Sequence, residues 1–360
     1  MAHRLVHAAA LTRAIEAIVA AGGSEAREAK LVASNLVLAN LMGHDSHGVG
    51  MIPRYVEALL EGGLKPNQHP SVTLDGGTML ALDGQMGYGQ SIGVEAMDLA
   101  IERARKAGVC VMGLGRSHHL GRIGHWAEHA VAQGLISIHF VNVISRAIVA
   151  PWAGSDARFG TNPVTVGIPL PGEPPFILDM ATSAVAQGKI RVAYNKQEQV
   201  SPDWLLDDSG NPTPDPKFGV IEPLGALRTF GMHKGYGLAM VCELLGGALT
   251  GGGTWHSEDR SKKRVWNGML TIVIDPQRLG TGDVFAAETR AFLASLRQSR
   301  VAPGFDKVRI AGEPERETRA RREREGIAID DYTWREICAA AAKLKVDSEA
   351  LDRLASGGSM

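Results

Sequence analysis

The spacing of apolar residues changes twice along these 360 residues, and those two changes bound the fold more tightly than any single motif. Near the N-terminus Ala29, Val32, Ala33, Leu36 and Ala39 recur at three- and four-residue intervals, the pattern of one buried helix face, with Ser24 placed to cap a helix from about Glu25 to Met42. Tyr55 to Leu60 continues helically until Gly62-Gly63 stops it. From Val72 the texture becomes short apolar runs between turn residues: Met79–Leu82, Val109–Met112, Leu135–Val141, Val164–Ile168, Phe176–Leu178 and Gly268–Asp275 read as strands. Helices over Ser91–Lys106 and Met232–Leu249 are interleaved with them, and from Ala286 onward the chain is helical again. The expected class is mixed α/β, with the helical tail packed back on the helical head.

The glycines narrow this further. Gly113-Leu-Gly115-Arg-Ser-His118 follows a strand as a dinucleotide fingerprint would, but it lacks the third glycine and the acidic residue about 20 positions on that would hold a ribose. An ordinary Rossmann unit is therefore excluded. Lys189 to Phe230, with prolines at 202, 212, 214, 216 and 223, reads as a surface loop, and Ser257 to Arg264 as a charged exposed one. The dense charges of Arg316 to Glu325 read as a solvated helix face.

Composition limits the partners. Lysine plus arginine number 38 against 39 acidic residues, so no global field draws the chain to nucleic acid or to an anionic membrane. Three scattered cysteines, Cys110, Cys242 and Cys338, rule out a disulfide framework and fit a reducing cytoplasm. No run reaches the roughly 18 uncharged apolar residues of a membrane span.

Chemistry concentrates in two stretches. Gly43-His44-Asp45-Ser46-His47-Gly48 packs two imidazoles, a carboxylate and a hydroxyl between glycines, and histidine takes and returns a proton near neutral pH. Ser117-His118-His119-Leu-Gly121-Arg122-Ile-Gly124-His125-Trp-Ala-Glu128-His129 admits two readings. His125, Glu128 and His129 match the H-x-x-E-H spacing of a zinc hydrolase, while His118, His119 and Arg122 would form an anion and proton site at a helix start. Asp179, at a strand end before Thr182-Ser183, suits a ribose, and His233-Lys234 at a helix start conflicts with the helix dipole unless an anion lies there. Gly160-Thr-Asn-Pro163 is either a ligand-facing turn or a plain one.

Taken together, the Gly43–Gly48 knot with its Val49-Gly-Met-Ile-Pro53 continuation, Ser117-His-His-Leu-Gly-Arg-Ile-Gly124, Phe159-Gly-Thr-Asn-Pro163, Leu178-Asp-Met-Ala-Thr-Ser183 and His233-Lys-Gly-Tyr236 resemble the non-Rossmann malate/lactate dehydrogenase family, over nearly the whole chain. That family includes sulfolactate, ureidoglycolate and diketogulonate-type oxidoreductases and cyclic-imine reductases. The resemblance implies an L-sulfolactate dehydrogenase-like fold, with a helical domain from residues 1–70 and 286–360 and a mixed-sheet cofactor domain from 71–285. It also implies a homodimer, a small 2-hydroxy or 2-oxo acid substrate, NAD or alternatively NADP, and no resident metal. By resemblance His47 is the catalytic acid/base and His119 a second imidazole credited with that role in some members, with Tyr55 on the substrate side. The cofactor would lie against Gly121, Arg122 and Ile123, Ser145, Ile177, Leu178, Asp179, Met180 and Ala181, His233 and Lys234, Asn267, and Gly312, Glu313, Pro314 and Glu315. Many members carry an arginine four residues after the catalytic histidine to hold the substrate carboxylate. Here that residue is Met51, which implies a more apolar pocket with Arg122, or else Arg54, as the anchor.

Overall fold

The computed structural model describes residues 3–256 and 264–358, which leaves the expected charged loop from Ser257 outside the described residues except for Arg264. β1 (His3–Val6) leads into α1 (Ala8–Ala21) and α2 (Ala26–Leu41), and the periodic residues of both helices, among them Leu11, Ile15, Val32 and Leu36, are buried. Ser24 is not the cap. Its hydroxyl donates to the buried carboxylate of Glu28 at 2.7 Å, which also accepts the Asn67 N–H at 2.8 Å and the Ser91 hydroxyl at 3.0 Å. A buried charge must be hydrogen-bonded, so Glu28 has claimed the hydroxyl that the helix end would otherwise use, and α2 starts one residue later behind Glu25. α3 (Ile52–Leu60) accommodates Pro53 in its first turn, where no intrahelical N–H is lost.

The middle of the chain builds a seven-stranded sheet. Its strands are β2 (Ser71–Asp75), β3 (Met79–Asp83), β4 (Val109–His118), β5 (Ile136–Ile144), β6 (Val164–Ile168), β7 (Phe176–Met180) and β10 (Trp266–Ile274), in the order β2-β3-β4-β10-β5-β6-β7. Only β3 and β4 are parallel, joined by α4 (Gly89–Ala107); every other pair is antiparallel. A doubly wound nucleotide fold would be mostly parallel, and this sheet is not. α4 and α5 (Gly124–Val131) cover the sheet, packing Met97, Ile101 and Trp126 on Met112, Leu114, Val141 and Val273.

The segment expected as loop from Lys189 to Phe230 carries a small core of its own. α6 (Gln187–Lys196) and the short pair β8 (Leu205–Leu206) and β9 (Ala226–Leu227) bury Ile190, Ala193, Leu205 and Leu227 with Val149 and Phe159. The prolines punctuate the segment without preventing one helix, whose apolar positions Ile190 and Ala193 lie three apart. α7 (His233–Val241) runs on into a wider-wound turn over Cys242–Ala248.

After α8 (Gly282–Arg297) and α9 (Glu313–Glu325), β11 (Ile327–Asp330) pairs antiparallel with β1, setting His3 opposite Asp330 and Val6 opposite Ile327. α10 (Asp331–Lys343) and α11 (Ser348–Ala355) then bury Trp334, Ile337 and Leu351 in the same core as Leu11, Leu36 and Ile52. Head and tail thus share one hydrophobic interior. Among the described residues no helix is long and apolar enough to cross a membrane.

Candidate active site

The knot that follows α2 is held by its own side chains. Asn40 accepts the Val49 N–H at 2.9 Å and donates to Asp45 at 2.7 Å, passing so close to Gly48 that a Cβ there would fall 2.2 Å from its amide oxygen. Only glycine fits. Asp45 turns away from the sheet and takes both arms of Arg322 on α9, at 2.7 and 3.0 Å. His44 faces the same helix, its Nε2 3.5 Å from Glu315, and this contact holds the Glu315 carboxyl below the ordinary carboxylate range. The charged run of α9 is therefore only partly a solvated face, since Arg322 and Glu315 clasp the knot.

His47 points the other way. Its Nδ1 lies 3.0 Å from the Ser46 hydroxyl, and its ring stacks on that of His119 with centroids 5.5 Å apart and planes 21° apart. Burial of the ring lowers its pKa to about 4; His44 and Arg122 add to the effect and Asp179 opposes it. His119, just beyond β4, is buried, and burial reinforced by His47 and His118 takes it well below the usual imidazole value. Both imidazoles rest neutral at pH 7.

Behind His119 lies a buried relay. The Tyr55 hydroxyl is 2.7 Å from His119 Nδ1, and Gln90 donates to the same phenolic oxygen at 2.8 Å. With Gln90 as donor, the phenol hydrogen faces Nδ1, which leaves the His119 proton on Nε2. Burial raises the Tyr55 pKa, so the phenol keeps its proton. Tyr55 thus contacts the His119 imidazole and lies at 1% exposure, behind the stacked rings of His47 and His119. Gln90 had no signal in the sequence. Its role depends on α4 meeting α3, which no local pattern encodes.

Arg122 and Asp179 come to the same place. Arg122 is 2% exposed, pairs with Glu128, and has Nη1 3.8 Å from Asp179, while its Nε and Nη1 make no hydrogen bond. Asp179 accepts the Gly124 N–H at 2.8 Å and the Thr165 hydroxyl at 2.9 Å, anchoring the start of α5 where a negative charge favours the helix dipole. Gly121, at φ +72°, lets the turn pass the Asn35 amide, which a Cβ would approach to 2.5 Å.

The remaining expected positions fall in three groups. Ile177 to Ala181 run along and just past β7 beside Gly312 to Glu315, tied by the Ile177 N–H to Ala311 at 3.2 Å, so these two segments flank His44, Arg122 and Ile123 as one wall. His233 and Lys234 are exposed at the start of α7, with His233 beside Trp152 at 5.6 Å between centroids. Ser145 lies just past the end of β5 and Asn267 near the start of β10. Asn267 is buried at a bulge in β10, accepting the Leu120 N–H at 2.8 Å and donating to the Asn142 carbonyl at 2.9 Å, so it sets the His119-Leu120 turn. Met51 packs half-buried against the helical core.

The zinc reading of His125, Glu128 and His129 fails on geometry. Glu128 belongs to Arg122, His129 pairs with Asp98 at 2.7 Å, and His125 sets its ring edge-on to Trp126. Among the described residues no group of three histidine, cysteine or carboxylate side chains converges as metal ligands. Asn162 in the Gly-Thr-Asn-Pro turn is also structural, being fully buried with φ +33° and bound to Val143, Ala239 and Glu243.

Comparison with known proteins decides the family. The model of the malate/L-lactate dehydrogenase family matches residues 6–338. The chain belongs to this family. It is 46% identical to hydroxycarboxylate dehydrogenase B of Escherichia coli over 94% of its own length and 93% of that protein's. The sulfolactate dehydrogenase structure from Methanocaldococcus jannaschii superposes with a TM-score of 0.84 at 30% identity, covering 96% of this chain and 99% of that one. A delta1-piperideine-2-carboxylate reductase from Pseudomonas syringae does so with a TM-score of 0.82 at 31% identity, covering 94% and 99%. Family membership makes the protein an oxidoreductase, and the mixed sheet with one parallel pair is the family's fold.

Proposed function

We propose that the protein is a 2-hydroxycarboxylate dehydrogenase that exchanges a hydride between a nicotinamide cofactor and C2 of a small 2-hydroxy or 2-oxo acid. The observation that carries this reading is the stacked pair of neutral imidazoles, His47 and His119, beside a wall of backbone and unpaired donors. During oxidation a neutral imidazole takes the hydroxyl proton, and during reduction it returns it. His47 is the group we assign to this transfer. It is half-buried, while His119, with its Nε2–H fixed by Tyr55, is suited to donate a hydrogen bond to the C2 oxygen.

The residues present fit a dinucleotide. Arg122 offers two buried nitrogens that make no hydrogen bond, and a Cβ on Gly124 or Gly312 would fill the space beside Arg122 and Ile177. Gly121 to Ile123, Ile177 to Ala181 and Gly312 to Glu315 would hold the cofactor, with His233, Lys234 and Ser145 at its margins. The nicotinamide supplies the hydride acceptor or donor. Glu313 and Glu315 bring two carboxylates to the first turn of α9, which favours NAD over the extra phosphate of NADP.

The face of Met240, Val241, Leu244 and Leu249 is exposed and apolar, and we assign it to a second copy in a homodimer. We place the enzyme in the cytoplasm, in line with its three free cysteines. The deciding experiment is a panel of 2-oxo acids and one cyclic imine acid, each offered with NADH and with NADPH, followed by loss of cofactor absorbance. Turnover of a 2-oxo acid supports the reading. Turnover of the imine acid alone would transfer it to the reductase chemistry of the Pseudomonas syringae relative.

A further inference from the structure

A cavity of about 470 Å³ opens between α3, the loop after β5 and α6, within the range of about 300–1,000 Å³ usual for small-molecule sites. Two of its walls are continuous with the catalytic groups. Arg54 lines it, and the next residue in α3 is Tyr55, which holds His119. Gln187 lines it too, and a Cβ on the adjacent Gly188 would sit 3.2 Å from that of Ser46, the neighbour of His47. The loop after β5 contributes Ser145 and Arg146.

Three arginines therefore line one space, Arg54, Arg146 and Arg264, the last of them stacked on the Trp266 ring. Among the described residues neither the Arg54 nor the Arg146 guanidinium has a hydrogen bond or an ion pair, although both border a cavity where such groups normally find partners. Arg146 is pushed below the usual guanidinium value by desolvation, with Arg191 and Arg54 adding to this and Glu222 opposing it. Four acidic residues share the lining, and all of them except Asp208 are engaged. Asp156 pairs with Arg158, Asp207 is bound by the N–H groups of Ser209 and Asn211, and Glu222 accepts the Leu224 N–H. Like charges without local partners are a conflict that an anionic ligand resolves.

We infer that Arg54 and Arg146 form the clamp for the C1 carboxylate of the substrate, in the place that Met51 cannot serve. The inference rests on the dehydrogenase reading for the identity of its ligand, while the anion site rests on the cavity. Arg122 is the weaker candidate because it already holds Glu128 and faces Asp179, so an incoming carboxylate would compete with two internal ones. Arg54 is near enough to His118, the chain neighbour of His119, to disfavour its protonated form, so a carboxylate held there leaves C2 toward the imidazoles. Guanidinium forks from two sides also fix the plane of a carboxylate, which a thioether or a single ammonium does not.

The test uses the full chain, with Arg54→Met, Arg146→Met and Arg122→Met variants checked for folding by circular dichroism. Oxalate is titrated calorimetrically with and without NADH, and KM and kcat are measured for a 2-oxo acid that the wild type reduces. Loss of either clamp arginine should weaken oxalate binding and raise KM roughly 10- to 100-fold, with a smaller change in kcat and unaltered NADH affinity. The clamp is overturned if the wild type binds no oxalate, or if oxalate binding is unchanged in both clamp variants and lost in Arg122→Met. A wild type that binds oxalate through these arginines but reduces no 2-oxo acid would support the anion site and refute the dehydrogenase reading, so the two failures are distinct.

Discussion

The Tyr55 hydroxyl lies 2.7 Å from Nδ1 of His119, and both groups are buried. A catalytic imidazole is useful only in one tautomer and one orientation, and this contact sets both, with Gln90 fixing the phenol in turn. Tyr55→Phe removes the contact at almost constant volume. We expect kcat to fall roughly 10- to 100-fold with KM nearly unchanged, because the loss concerns the orientation of His119 and leaves the substrate pocket intact. Gln90→Leu should show a smaller loss in kcat, since the phenol keeps its contact with Nδ1. Steady-state kinetics on both variants checks the order, and a rise in KM alone would place Tyr55 on the substrate side after all.

His47→Ala should lower turnover by roughly 100- to 10,000-fold, the usual worth of a general base, with NADH affinity by fluorescence little changed. His119→Ala should also be impaired, through loss of the Nε2–H donor. The two are separated by their pH profiles. The ionisation that limits oxidation on its acid side belongs to the proton acceptor, so it should vanish in His47→Ala and persist in His119→Ala. The reverse pattern would exchange the two roles.

Much of this architecture is legible in the chain because it follows from local periodicity. The apolar spacing of α1 and α2 and the short runs of β4, β5 and β10 need no tertiary information. The order of the strands does, since β10 enters between β4 and β5 from about 120 residues downstream of β5. The same distinction holds in the site. His47, His119, Arg122 and Asp179 stand out by residue type, yet the partners that fix His119 and Asp179 come from elsewhere in the chain: Tyr55 from α3, itself held by Gln90 from α4, and Thr165 from β6. Ser24 departs from the expected cap for the same reason, because the carboxylate that claims it also binds Asn67 and Ser91.

Chelation separates the family reading from the zinc pattern. With Glu128 paired to Arg122 and His129 to Asp98, dialysis against a chelator should leave turnover and stability unaltered. Glu128→Gln, by contrast, should destabilise the fold by about 1–3 kcal/mol, because it weakens the partner of a buried guanidinium. Chelator-sensitive activity restored by zinc would reverse this assignment.

Acid should loosen the protein before its carboxylates titrate. Burial lowers His118 and His139 to about 3 and His125 to about 4, against 6.5 for the unfolded imidazole. Between these values the unfolded chain binds protons that the folded chain does not, so stability is full above about pH 6.5 and declines as pH falls from there toward about 3. Urea midpoints should drop steadily between about pH 7 and pH 5, and the slope should lessen in His139→Gln. A midpoint constant across that window would mean these imidazoles titrate normally in the fold.

The clasp between Asp45 and Arg322 links the knot to α9, and it should matter more for catalysis than for stability. Asp45 is half exposed, and exposed ion pairs contribute about 0–1 kcal/mol, so Arg322→Met should shift the unfolding midpoint little. Asp45, however, sits two residues before His47 in the same short turn, and Asn40 reads both its carboxylate and the Val49 N–H. Releasing Arg322 frees that turn to move relative to His119, and a displacement of about 1 Å in a reacting group can cost up to about 100-fold in rate. We expect kcat to fall roughly 10-fold or more in Arg322→Met at nearly constant thermal stability, with Arg322→Lys recovering part of it. If rate and stability fall in proportion instead, the clasp is a structural brace for the two ends of the chain and does not position His47.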